Sequence, residues 1–308
     1  MSGIAGIVAP VFTLIILGAA GRYWRLLDPA GLRGLNDLTF YLAIPALLFG
    51  SVAEAPVLHV LDVAALYFGV CLVVFVLAVV LAGRVLGAGL AQAAVVGLNC
   101  CYGNTVMLGV PVVSSAYGPE GLAVMLPIIA LHSILLLPLA TVLIEAEGRG
   151  TRNPVRILAA TLPSLARNPV IIALVLAMTW RALGVPVPGP MHRLLEMLGL
   201  AAPTLALFSL GASLPDFAAK GSVRETGMAT VLKLLVMPGL VWGAAHLVGL
   251  GPLPTAVAVL AAAAPTGANA FFLARRTGTM AAASAGSVVV TTALSVVTFS
   301  LFLAALRG

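Results

Sequence analysis

From Leu234 to Ala274 the chain carries no Asp, Glu, Lys or Arg, and its last part reads AAAPTGANAFFLA before Arg275-Arg276 closes it. A run this long and apolar belongs in a bilayer, where about 20 apolar residues make one crossing. Pro265 has no N–H for a helix to use, and its ring crowds the preceding turn. Gly267 disfavours helix by its backbone entropy, and Asn269 brings a polar amide into the same stretch. Backbone groups freed at that depth find no water, so irregular chain there must be buried in protein or line a cavity. Ala262–Arg276 is therefore predicted to be a transmembrane helix broken near its middle, with the break forming half of a solute site.

Composition agrees with a membrane setting. Only 8% of the 308 residues are charged and 61% are hydrophobic, with a mean hydropathy of +1.15. Soluble domains carry about 25% charged residues. Spans of about 20 residues with short loops leave room for roughly ten helices. The net charge of +6 comes from basic residues scattered singly or in small groups, which suits loop anchors and excludes a phosphate-binding patch, hence nucleic acid. Cys71, Cys100 and Cys101 fall in apolar segments without CxxC or Cys/His spacing, so neither a disulfide framework nor a metal site is expected. MSGIAGIVAPVF lacks a basic n-region and reads as a first span, not a cleaved signal peptide.

Taken in order, the spans are expected at about 3–21, 38–53 (with Pro45 inside), 63–82, a fourth within the uncharged stretch between Arg84 and Glu120, 121–144, 168–180, 197–214 (with Pro203), 226–248, the opening segment, and 280–306. The fourth contains LNCCYGNTVMLGVPVV, whose Asn99, Gly103, Asn104, Gly109 and Pro111 make an uninterrupted helix poor. It is predicted to break near Gly103–Asn104.

Charge placement tests that count. With the N-terminus outside, one side of the membrane holds Arg22, Arg25, Arg33, Arg84, Arg149, Arg152, Arg156, Arg167, Lys220, Arg224, Arg275 and Arg276. The other holds only Arg181, Arg193 and Arg307, with Lys233 inside a span. That bias orients the chain with both termini on the extracytoplasmic side of the cell (inner) membrane.

The halves repeat one another. Pro10 and Arg22 bracket an apolar span as Pro169 and Arg181 do, and Pro45 follows Pro10 much as Pro203 follows Pro169. Each half then continues with a featureless span, an interrupted one and a plain one. Five is odd, so two five-span halves insert with opposite orientation, and broken helices at matching positions point to a transporter site. The expected division is 1–147, a cytoplasmic linker 148–167, and 168–308.

GNTVMLGVPVVSSAYGPEG (Gly103–Gly121), LFSLGASL (Leu207–Leu214) and PTGANAFFLARRTG (Pro265–Gly278) resemble blocks of the auxin efflux carrier family, bacterial relatives of the plant PIN-FORMED exporters. FYLAIPALLF and KLLVMPGLVW fit as well, so the resemblance covers nearly the whole chain. It implies an all-α fold of ten transmembrane helices in two inverted five-helix repeats, shared with bile-acid symporters and sodium/proton antiporters. Spans 1, 2, 6 and 7 would form a scaffold, often a homodimer. Spans 3–5 and 8–10 would form a transport domain in which broken spans 4 and 9 cross. The plant branch has proline where this chain has Gly103, so that break is less constrained here.

The chemistry follows from the two breaks. Half-helices meeting there present N-terminal dipole ends suited to an anion. Asn104 and Asn269 can donate and accept without carrying charge into the membrane. With Thr105, Thr266, Gly103, Pro265 and Gly267 they form the candidate substrate site for a small organic anion. The competing reading is that both asparagines only satisfy freed backbone groups. His132 and Lys233 are ionisable groups at depth and candidates for proton or substrate coupling. The alternatives are a neutral histidine bonded between helices and a lysine snorkelling to the interface. Asn99 and Tyr102 are weaker candidates. His246, Glu196, Asp37 and Arg275-Arg276 read as interfacial.

Neither GxSxG nor HExxH occurs, so an enzyme is disfavoured, and no cofactor is expected. The reading is a secondary transporter of carboxylates or auxin-like indole acids working by elevator-type alternating access. Export is the direction the family name implies. Sodium- or proton-coupled uptake, or a sensing receptor or channel on the same fold, is the alternative.

Overall fold

A computed structural model describes residues 2–53, 60–147, 166–217 and 223–307. Arg149, Arg152, Arg156 and Lys220, and residues 148–165 of the expected linker, lie outside them. Within them the regular structure is helical: α1 (Ser2–Tyr23), α2 (Pro29–Leu38), α3 (Ile44–Ala53), α4 (Val60–Val85), α5 (Leu90–Cys101), α6 (Val110–Glu147), α7 (Pro169–Leu183), α8 (Gly189–Ser213), α9 (Val223–Val231), α10 (Met237–Leu247), α11 (Pro252–Ala263), α12 (Ala268–Thr277) and α13 (Ala281–Arg307). Seven helical segments among the described residues are long and apolar enough to cross a bilayer; Leu90–Cys101, Pro169–Leu183 and Pro252–Ala263 are shorter apolar helices. The chain is a polytopic membrane protein.

Three prolines explain the irregular turns. Five-residue π-turns cover Thr39–Ala43, Thr105–Gly109 and Leu232–Val236. Each ends two residues before a proline, at Pro45, Pro111 and Pro238. A proline removes the N–H that would bond the carbonyl four residues back and pushes that carbonyl aside; widening the turn is one way to absorb the displacement. Elsewhere proline starts helices. Asn168 accepts from the Val170 N–H at 2.9 Å with Pro169 next to it, as the Asn-Pro pair predicts. The long α6 turns at Gly118, where φ is 59° and ψ −152°, a combination essentially restricted to glycine.

The chain forms two compact units, Met1–Val60 with Val106–Leu126 and Ser164–Asp216, and Leu61–Thr105 with Pro127–Pro163 and Phe217–Gly308. In the first, α1 packs on α8, and α3 on α7 and α8. Gly18 lies against the backbone of Phe208 and Ala212, and Gly211 against that of Ile15. Small residues permit such close helix approach in membranes. A Cβ on Gly211 would fall inside the Ile15 carbonyl. Gly211→Ala is therefore expected to cost about 1–3 kcal/mol through forced separation of α1 and α8. Gly6→Ala, with open space around it, is the control; equal thermal unfolding of the two variants would contradict the packing.

In the second unit α5 packs against α9, α12 and α13, while α13 also contacts α9 and α11. The Glu147 carboxylate accepts from the Ala91 N–H at the start of α5, where a helix favours negative charge. The last span is not the plain helix expected from the sequence. Ser284, Ser287, Thr291, Ser295 and Thr298 are all buried in α13, at spacings that share one helix face.

Candidate functional site

Two chain breaks meet in the second unit. α5 ends at Cys101 and a π-turn resumes at Thr105; α11 ends at Ala263 and α12 resumes at Ala268. Gly103 and Thr266 face each other as an isolated antiparallel bridge. The Asn104 N–H donates to the Pro265 carbonyl at 2.7 Å, and the Gly267 N–H to the Tyr102 carbonyl at 2.9 Å. Each break thus satisfies backbone groups the other has freed, meeting the demand of a water-poor interior.

Side chains meet further groups at the breaks. The Gly103 N–H donates to His132 Nε2 at 2.9 Å. The Thr266 N–H donates to Thr291 Oγ1 at 2.9 Å, and the Thr266 hydroxyl donates to the Asn99 carbonyl at 2.8 Å. Ser284 Oγ donates to Asn99 Oδ1 at 2.7 Å. Lys233 Nζ donates to the Ala262 carbonyl in the last turn of α11, with Met237 Sδ at 3.5 Å. Asn99 and Thr266 therefore serve the crossing itself.

His132 accepts through Nε2, so the neutral ring carries its proton on Nδ1. The ring is 2% exposed and sits edge-on to Tyr102 at 4.6 Å. His132, in α6, thus bonds the chain break that follows α5. Protonating Nε2 would break its bond to Gly103. Lys233 differs from the snorkelling alternative: it is 0% exposed, and its Nζ lies 3.4 Å from where a Cβ on Gly103 would stand. It lies within the π-turn before Pro238.

Gly103, Asn104, Thr105, Pro265, Thr266 and Gly267 come together at the crossing and are buried. Asn269 lies in the first turn of α12 and is exposed. Its Nδ2 donates to Tyr102 Oη at 2.7 Å, and Tyr102 Oη is 2.7 Å from Ser133 Oγ. Tyr102, a weak candidate from sequence, is the residue that orients Asn269. α12 begins at Gly267 with no side-chain cap. His246, Glu196, Asp37, Arg275 and Arg276 are exposed. Ser284 and Thr291 escaped sequence reasoning, although the polar stripe in α13 was the signal that could have found them.

The first unit has a separate cavity of about 460 Å³ whose lining includes Glu120, His192 and Glu196. None of the predicted site residues lines it.

Comparison with known proteins covers nearly all of this chain. The family model described as "Membrane transport protein" matches residues 4–303. A Rhizobium meliloti (strain 1021) protein provisionally named a malonate transporter is 29% identical over 100% of this chain and 97% of its own length. An uncharacterised transporter of Methanocaldococcus jannaschii is 24% identical over 98% of this chain and 97% of its own.

Proposed function

Because the chain belongs to the membrane transport protein family of auxin efflux carriers, a family of transporters, we propose that it is a secondary transporter of small carboxylates. The observation that carries this reading is the paired break. Two helices open at one place and bridge each other there, with Asn104 at one break and Asn269 at the other. The backbone groups in the bridge are met by one another, by His132 and by Thr291, and Asn269 stands exposed beside them on Tyr102. Asn104, Asn269 and Thr105 contact the substrate; Gly103, Pro265, Thr266 and Gly267 form the frame. The carboxylate class draws on the relative named for malonate.

The finer reading is a set of ten spans in two inverted five-span repeats. α5 with the start of α6, and α11 with α12, are the broken fourth and ninth spans, and α7 is a short sixth. The unit containing α4, α5 and α9–α13 carries the site by elevator-type alternating access. The other unit forms the scaffold of a homodimer in the inner membrane, with both termini outside and export as the direction.

Proteoliposomes test the site. The wild-type protein is expected to exchange radiolabelled malonate. Asn104→Ala and Asn269→Ala are each expected to reduce the rate by about a hundredfold or more, the effect of losing an oriented polar contact in a water-poor site. Normal exchange by both variants would overturn the assignment.

A further inference from the structure

Lys233 has no counter-charge that explains it. It is fully buried, and among the described residues the one ion pair joins Arg22 and Asp216 in the other unit. Its hydrogen bond to Ala262 places the ammonium at the C-terminal end of α11. Its 3.4 Å approach to the Gly103 Cβ position places it beside the residues that follow α5. Burying an ammonium costs several kcal/mol unless other groups offset it, so the charges around it decide its role.

The helix ends supply those charges. α5 and α11 present C-terminal ends at the crossing, and the chain resuming at Thr105 and Ala268 presents two N-terminal ends. Each end is equivalent to roughly half a unit charge, negative at the C-terminus and positive at the N-terminus. Two of each cancel, so the crossing of half-helices alone has no preference for anions. Lys233 adds about one positive charge to that balance. Its ammonium offsets the two carbonyl ends and leaves the two N–H ends uncompensated. A negatively charged ligand offsets that excess.

We infer that Lys233 is the residue that makes the crossing anion-selective, favouring a carboxylate over its uncharged isostere through the field at Gly103–Asn104. The inference rests on the carboxylate-transport reading and deepens it. The interaction acts across protein of low effective dielectric, where a single charge outweighs the neutral contacts.

Malonate and the uncharged malonamide are matched probes, and calorimetric titration of the purified full-length protein in detergent measures both. Lys233→Gln keeps a hydrogen-bond donor for Ala262 without the charge; Lys233→Met keeps volume alone. The wild type is expected to favour malonate by about tenfold or more, and both variants by less than about twofold. A purely structural lysine would weaken both ligands in proportion. An unchanged ratio in either folded variant, or equal loss of both ligands down to undetectable binding, overturns the inference. Failure of the wild type to bind malonate would instead remove the functional reading, and the inference with it.

Discussion

Gly267→Ala is expected to abolish transport, whereas Gly103→Ala retains most of it. A Cβ on Gly267 would stand 2.9 Å from two ring carbons of Tyr102 and 3.1 Å from the Gly103 carbonyl oxygen. The backbone oxygen belongs to the bridge and cannot swing aside, and the ring is fixed by hydrogen bonds to Asn269 and Ser133. The added methyl must force the two breaks apart or displace Tyr102. Forced repacking of this kind costs about 1–3 kcal/mol in stability, and a displacement of about 1 Å at a positioned site can cost roughly a hundredfold in rate. At Gly103 the nearest atoms to an added Cβ are the Ala261 carbonyl oxygen and Lys233 Nζ, both at 3.4 Å, which is ordinary contact. Malonate exchange by the two variants at matched protein amounts decides the matter. Equal activities would mean that the close approach at Gly267 is not required.

The second large effect is the coupling between Gly103 and His132. His132→Leu leaves the Gly103 N–H buried with no acceptor, a loss of about 1–3 kcal/mol beyond the cost of replacing the ring. In a Gly103→Pro background there is no N–H to satisfy, so the same histidine substitution should cost less by about that amount. Tyr102 has φ −79° and ψ 104°, an extended conformation of the kind favoured by a residue preceding proline. Stability in detergent for the wild type, both single variants and the double variant gives the coupling directly. Additivity within about 0.5 kcal/mol would show that the bond contributes nothing. The bond also gives the absence of proline a physical reason: proline at this position cannot donate, and His132 is there to accept.

Much of this was legible in the chain because the bilayer reads composition simply. Long uncharged runs required membrane helices, and Pro265, Gly267 and Asn269 marked one break where an unbroken helix was unfavourable. Gly103 and Asn104 marked the other. Proline chemistry also accounts for details that were not anticipated. The π-turns before Pro45, Pro111 and Pro238 are local consequences of a missing N–H, and the last of them contains Lys233. The stripe from Ser284 to Thr298 was readable by its spacing, yet its purpose was not. Two of its members bond groups outside α13: Ser284 reaches Asn99, and Thr291 reaches Thr266.

The sequence by itself determined that this is a polytopic membrane protein with two interrupted helices, because apolar length and backbone hydrogen bonding are local properties. Only the tertiary structure decided which residues hold the breaks together. Hydrogen-bond partners are chosen by proximity, and Gly103 lies 29 residues from His132 while Asn99 lies 167 from Thr266. The same reason separates the polar residues of the crossing into two groups. The side chains of Thr266, His132 and Thr291 bond backbone groups of the breaks, whereas those of Asn99 and Asn269 bond other side chains, Ser284 and Tyr102.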